Sequence, residues 1–314
     1  MTKLARGRIY NNIATVEELE KVNPKNIELW EAWELYLRTA NRSPGTIKNY
    51  NSDVNIFFVW LSKNAGNKCF CDIVPKDVLL FQDWIVRELG MSNNRVRRLK
   101  DTLSSFSNYI VTFEDYPNFS NIIRVVPSPK KRPCRETSEF TDEEVKIIFE
   151  GLIHEYRYMD ACAVAMAFYG GLRKSDIIQV KTEWFSKYDI YLDALYKSPE
   201  QIVTKGDRLT YIYLLKKEVD RYLYLWKKEV KKLKKKQFFT ESGEEYLFIR
   251  RVDGRWRQAN DNSMTLIQTH VNKILKEAGI SKEFYWEAAR TYYDDYVKRT
   301  VRDKNVLKAI NSVC

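Results

Sequence analysis

The chain has 314 residues, 44% hydrophobic and 30% charged, with 53 Lys and Arg against 42 Asp and Glu and a net charge of +11. That length suggests about two domains, each able to bury its own core, and 43 aromatic residues with this apolar content exclude a disordered chain. The longest small and apolar stretch, 161–172, is shorter than the roughly 20 residues that span a bilayer, and the N-terminus has no apolar signal core, so a soluble intracellular protein without a membrane partner is expected.

Leu29, Trp30, Trp33, Leu35 and Leu37 recur at helical spacing and predict a helix within 16–40. The turn Ser43-Pro44-Gly45-Thr46 follows, and its Ser or Thr can cap the next helix. That helix, 47–61, places Tyr50, Val54, Phe57, Phe58 and Leu61 on one face. A third begins near Val74-Pro75-Lys76-Asp77, carries Val78, Phe81, Trp84, Ile85 and Leu89, and ends at Gly90. A fourth, 92–111, turns Val96, Leu99, Leu103, Phe106 and Ile110 inward and carries Arg95, Arg97, Arg98 and Lys100 in its first turns. Residues 1–124 are thus expected to form a helical domain. Residues 125–139 hold three prolines and a basic run that includes Lys131 and Arg132, the composition of an extended linker.

Residues 140–314 read as a second, mixed domain. Thr141-Asp142-Glu143-Glu144 suits a helix start. After Arg173 come β-like runs at 189–192, 201–204 and 209–215, the last two joined by the turn Lys205-Gly206-Asp207. A helix over 218–236 has a very basic face (Lys227, Lys228, Lys231, Lys232, Lys234, Lys235, Lys236), read as a solvated surface. A brief strand at 247–249 and helices at 264–277, 282–298 and 303–313 complete a fold that is mainly α with a small β-sheet.

Only two histidines exist, His154 and His270, which argues against His-rich metal sites and a Ser-His-Asp triad. The five cysteines (Cys69, Cys71, Cys134, Cys162, Cys314) read as reduced thiols; no metal and no cofactor is expected. Residues 1–130 hold 18 basic and 14 acidic side chains and the remainder 35 and 28, so both halves are positive, as a polyanion contacting two domains would need.

At Gly170-Gly171-Leu172-Arg173-Lys174-Ser175-Asp176 an apolar helix ends in two glycines, an arginine follows, and a Ser-Asp pair opens another helix. This resembles the first arginine motif, G-L-R-x-S-E, of the tyrosine recombinase (phage integrase) family, with Asp176 in place of Glu. The flanking order supports the resemblance. The segment from Ser43 to Tyr50, with Phe57, Trp60 and Leu61, looks like the family's helical core-binding domain, and 92–110 like that domain's second DNA-facing helix. The linker resembles the strap between the two domains that clamp the duplex. Lys205 lies in a β-hairpin about 30 residues after Arg173, where the family carries its catalytic lysine, and Arg290 resembles its second arginine. The resemblance covers the chain from about residue 30 onward.

In that family two arginines grip the scissile phosphate, the hairpin lysine is the general acid, a His in H-x-x-R helps cage the phosphate, and a late tyrosine is the nucleophile. The H-x-x-R position here reads Glu287-Ala288-Ala289-Arg290, so a carboxylate replaces the His. The nucleophile is expected some 30 residues beyond Arg290; Tyr292, Tyr293 and Tyr296 lie too close to it and read as inward-facing aromatics. No catalytic residue is therefore expected to be intact. Arg173, Lys205 and Arg290 are remnant phosphate contacts, with Lys48, Arg95, Arg97, Arg98, Lys100, Lys131 and Arg132 as further DNA-binding residues. Read alone, Arg173 could cap or pair, Lys205 could be a solvated turn residue, and Arg290 could pair with Glu287. Replacing Arg95, Arg97 or Arg98 is expected to weaken binding more than replacing residues 234–236.

Within the family the chain is similar to the recombinase-fold repressors of SPβ-like Bacillus prophages. That implies a lysogeny-maintaining transcriptional repressor in the host cytoplasm, associated with the nucleoid. Its implied partners are operator double-stranded DNA, further copies of itself on DNA, and a phage-encoded antirepressor. The alternatives are an active recombinase with a displaced or trans-supplied tyrosine, and an accessory DNA-bending factor.

Overall fold

Prolines and side-chain caps set where the helices of the first half begin. The structure is a computed structural model describing residues 12–131, 139–236, 239, 240, 243 and 245–311, with only the backbone of Lys236. By internal contacts the chain divides into two units, Met1–Cys134 and Arg135–Cys314.

In the first unit, Thr15 caps α1 (Val16–Leu19), and Asn23 caps α2 (Pro24–Thr39) by accepting from the Lys25 N–H. Ser43, not Thr46, caps α3 (Pro44–Asn64), accepting from the Thr46 N–H. Pro75 opens α4 (Pro75–Arg87), where the Val74 N–H donates to Asp77 Oδ2 at 2.9 Å. Ser92 caps α5 (Asn93–Phe113). In each case a donor that the helix itself leaves unsatisfied finds an oxygen.

The inward faces expected of α3 and α5 are buried, apart from the half-buried Tyr50. Their core is aromatic: Trp33 stacks on Tyr50 with centroids 5.1 Å apart and tilts against Phe106 at 5.0 Å. Phe70, on a 3-10 turn at Phe70–Asp72, meets Phe57, Phe58 and Phe106. Residues 125–131, expected to be linker, instead lie along α5. Asn93 Nδ2 donates to Lys130 O at 2.9 Å, Arg97 to Pro129 O at 3.1 Å, and Lys100 Nζ to Val126 O. Three side chains of one helix thus hold a segment too rich in proline to satisfy itself.

The second unit is built around one helix. A reciprocal cap between Thr141 and Glu144 starts α6 (Asp142–His154). Next, α7 (Tyr158–Gly170) is buried on every side from Ala161 to Phe168, which accounts for the longest apolar stretch of the sequence. Among the described residues no helix is long and apolar enough to cross a membrane. A short helix, α8 (Lys174–Ile177), follows, then β1 (Ile190–Tyr191), β2 (Leu195–Lys197), β3 (Ile202–Thr204), β4 (Arg208–Thr210) and β5 (Tyr213–Leu215).

The run 209–215 is therefore two strands. β4 pairs with β3 (Thr204 opposite Arg208) and β5 with β2 (Leu195 opposite Leu215). The break is fixed at Ile212, whose C=O accepts from Ser198 N–H and whose N–H donates to Ser198 Oγ, both at 2.9 Å. After α9 (Lys216–Lys236), the strand expected at 247–249 starts only at Ile249, where β6 (Ile249–Val252) forms a hairpin with β7 (Arg255–Gln258). Its turn is Asp253-Gly254, both at positive φ, 49° and 78°.

Asn260 caps α10 (Asp261–Glu277). The next helix, expected from 282, starts only at Trp286 and forms α11 (Trp286–Thr300). Asn272 on α10 holds the preceding backbone extended, accepting from Phe284 N–H at 2.6 Å and donating to Phe284 O at 3.1 Å. Helix α12 (Lys304–Asn311) packs Val306, Ala309 and Ile310 with Tyr293 and Val297 of α11 and with Leu195 and Leu215. The unit's sheets are β1-β2-β5, β3-β4 and β6-β7, all antiparallel.

Candidate nucleic-acid interface

The end of α7 forms one side of a cleft in the second unit. Gly171 takes the left-handed conformation (φ 63°) that stops the helix, and the Tyr293 ring lies over it: a Cβ there would sit 2.6 Å from Tyr293 Cδ1. Leu172 turns into the core. Arg173, with extended backbone, precedes α8, and its N–H donates to Asp176 Oδ2 at 3.1 Å. Asp176 is buried and also accepts from Ser175 Oγ at 3.1 Å. The acid of this motif thus builds the turn that presents the arginine, a task a carboxylate one methylene shorter than Glu performs as well.

Arg173 and Arg290 line one cleft, together with Thr204 and Thr210 of the β3–β4 hairpin. Among the described residues the Arg173 guanidinium has no hydrogen-bond or ion-pair partner. Arg290 Nε donates to Gly171 O at 2.8 Å, which ties α11 to the glycine turn, and NH1 lies 3.3 Å from Glu287 Oε1. Glu287 itself is 71% exposed. Lys205 is exposed at the hairpin tip, one residue beyond the cleft-lining Thr204. The cleft therefore offers two arginine forks, one unengaged and one partly engaged, in a lining that also includes the carboxylates of Asp176 and Asp294, with Glu287 beside Arg290. Forks of this kind match the paired oxygens of a phosphate.

The tyrosines of α11 pack into the core, although Tyr293, with the half-buried Tyr211 and Tyr213, also lines the cleft. Tyr292 and Tyr293 are buried, and the Tyr292 hydroxyl donates to Asp142 Oδ1 at 2.6 Å. Burial, then the Asp142 contact, raises the Tyr292 pKa; burial and a bond to Glu218 push Tyr296 up to about 12. His154 ends α6 and His270 lies on α10 with Nδ1 2.7 Å from Asp160 Oδ2; neither lines the cleft. Cys69, Cys71 and Cys162 are free thiols, while Cys134 and Cys314 lie outside the described residues.

In the first unit the basic face expected on α5 is largely internal. Asp53 of α3 is buried and takes an ion pair from Arg95, whose side chain keeps 13% exposure. The same carboxylate accepts from Thr102 Oγ1 at 3.0 Å and lies 3.4 Å from Arg98 NH2. Arg97 is tied to Pro129, and Lys100, 4% exposed, to Val126; burial lowers the Lys100 pKa. The reading of Lys100 and Arg95 as DNA contacts is thus corrected: their charges hold the unit together, and of the four cations only Arg98 is exposed. Lys48, near the start of α3, and Lys131 are exposed; Arg132 lies outside the described residues. Asp53 was legible as a carboxylate on the apolar face of 47–61, between Tyr50 and Phe57, where it requires a cationic partner.

No protein-family model matches the chain. It is 31% identical over 143 residues to the SPbeta prophage-derived recombinase-like protein YomM of Bacillus subtilis strain 168; the match covers 44% of this chain and 43% of that protein, less than half of its length. Among solved structures, lambda integrase residues 75–356, a dimer bound to a COC' core site, is similar at a TM-score of 0.60 and 16% identity, over 90% of this chain and 93% of that one. The XerH site-specific recombinase in a post-cleavage complex with palindromic difH is similar at 0.60 and 16%, over 87% and 74%. The chain therefore has the tyrosine recombinase fold, and YomM is its homologue.

Proposed function

We propose that the chain is a double-stranded DNA-binding protein that holds a backbone phosphate in the recombinase-fold cleft without cutting it, and that it acts as a prophage transcriptional repressor. The observation that carries the reading is the Arg173 guanidinium, presented to a cleft beside Arg290 and without a partner among the described residues. Phosphate contacts of this kind fix the register of a protein on DNA, while groove-facing side chains supply sequence preference. The solved relatives bound to recombination sites, and a prophage-derived homologue, support DNA as the ligand.

Two features favour binding without cleavage. Glu287 stands where the family motif has its His, and a carboxylate beside a phosphate repels it. Tyr292 and Tyr293 are buried side chains, and the Tyr292 phenol is engaged by Asp142. A protein that occupies its site without chemistry can block a promoter by occupancy alone. Self-association on operator DNA and a phage-encoded antirepressor are the partners proposed with this role.

The test selects bound fragments from sheared genomic DNA of a host carrying the prophage, then places the enriched site upstream of a reporter. Expression should fall when the protein is present and recover with Arg173→Ala. On a nicked duplex of the same site, a denaturing gel should show free DNA only. A covalent adduct lost on Tyr292→Phe, Tyr293→Phe or Tyr296→Phe would establish an active recombinase instead. Enrichment away from promoters, with no effect on the reporter, would favour a DNA-bending accessory factor.

A further inference from the structure

The solvent face of α9 carries a second arrangement of charge. Lys217, Arg221, Tyr224, Lys228, Lys231 and Lys235 are all exposed and follow one another at alternating steps of four and three residues. At 3.6 residues per turn that spacing keeps them within a sector of about 80° along roughly 27 Å of helix. Val219, Leu223, Trp226 and Val230 face the opposite way and are buried.

The three acids of α9 flank the stripe and are engaged: Glu218 with Tyr296, Asp220 with Tyr196 and Lys216, and Glu229 with Lys232. Among the described residues none of Lys217, Arg221, Lys228, Lys231 and Lys235 has an ion pair or hydrogen bond. On α2 and α4, Arg38 pairs with Glu34 and Arg87 with Asp83 one turn away, while Lys25 and Lys76 are single exposed cations rather than members of a stripe. Like charges at this spacing oppose helix formation, and no acid of α9 pairs with a cation of the stripe. Tyr224 stands in that centre, 65% exposed, with Lys228 Nζ 5.9 Å from its ring. Five unpaired cations in a line with an interleaved aromatic complement a regular polyanion. No α9 residue lines the Arg173 cleft.

We propose that this face binds a second segment of DNA duplex, separate from the one held at the cleft, so that a single chain joins two stretches of DNA. The proposal rests on reading the cleft as a DNA site. Both parts are tested by immobilising a duplex of the selected site, loading protein, and measuring capture of a second, labelled duplex of unrelated sequence. Wild type should capture it. A Lys228→Ala, Lys231→Ala, Lys235→Ala triple variant should hold the first duplex within about twofold of wild type yet capture at least tenfold less of the second. The salt slope of capture should also fall by about three, near one per phosphate lost. Equal capture by the triple variant, or a wild type that holds one duplex and captures no second, overturns the proposal. So would wild type that binds phosphatidylglycerol vesicles through these lysines and captures no second duplex. A failure of the cleft reading is seen separately, as an Arg173→Ala variant that holds the first duplex as tightly as wild type.

Discussion

At Gly171 a single hydrogen atom decides the geometry of the cleft. The residue is left-handed and lies under the Tyr293 ring, so a methyl group meets both backbone strain and a contact of 2.6 Å. Gly171→Ala should cost about 2 kcal/mol or more in denaturant unfolding and displace the Arg290 anchor, because Arg290 Nε bonds to the Gly171 carbonyl. The neighbouring carboxylate works in the opposite sense. Glu287 holds one edge of Arg290 and adds negative charge beside it. An exposed pair of this type is worth about 1 kcal/mol at most, so Glu287→Gln should tighten DNA binding by up to about fivefold with little change in stability. Weaker binding by that variant, measured by fluorescence anisotropy, would mean Glu287 orients Arg290 productively.

Between elements, the junction of α6 and α11 is set by Asp142, which accepts from Arg299 NH1 at 2.8 Å and from the Tyr292 hydroxyl at 2.6 Å. Arg299, then Tyr292, holds this carboxyl at about 2, below the ordinary value near 4. A depressed folded value stabilises the fold above the unfolded pKa, and that contribution is lost as pH falls from about 4 toward 2. Both partners are substantially exposed, so solvent screens it to about 1 kcal/mol or less. Urea midpoints should therefore fall across that window in wild type and fall less in Asp142→Asn; parallel curves would show the pair to be inert. Elements of this kind were legible where chemistry is local. Ser43, Thr141, the prolines and the Lys205-Gly206-Asp207 turn act within four residues, so their helices and hairpin read directly from the chain. The late start of α11 was not, because it depends on Asn272, 12 residues before the Phe284 backbone it holds. The break between β4 and β5 likewise depends on Ser198, 14 residues from its partner Ile212. The Asp253-Gly254 turn was a local signal and could have been read. The internal role of Lys100 needed a tertiary partner, Val126, that no helical periodicity reveals; Asp53 could be read as needing a cation, but not that Arg95 supplies it.

For the whole molecule, the excess of +11 now divides by function. Part of it is structural, in Arg95 and Lys100 of the first unit. Part is presented at the cleft by Arg173 and Arg290, and part lies along α9. The structural part does not release counterions from DNA, so the salt dependence of binding should be set by residues of the second unit and by the exposed Lys48, Arg98 and Lys131 of the first. The most direct measurement is equilibrium binding of wild type and Arg173→Ala to the selected duplex across a salt series. Loss of a charge-assisted phosphate contact should weaken binding about 10- to 100-fold and make the plot of log K against log salt shallower by about one. Identical affinity and slope for the two proteins would contradict a phosphate held at Arg173.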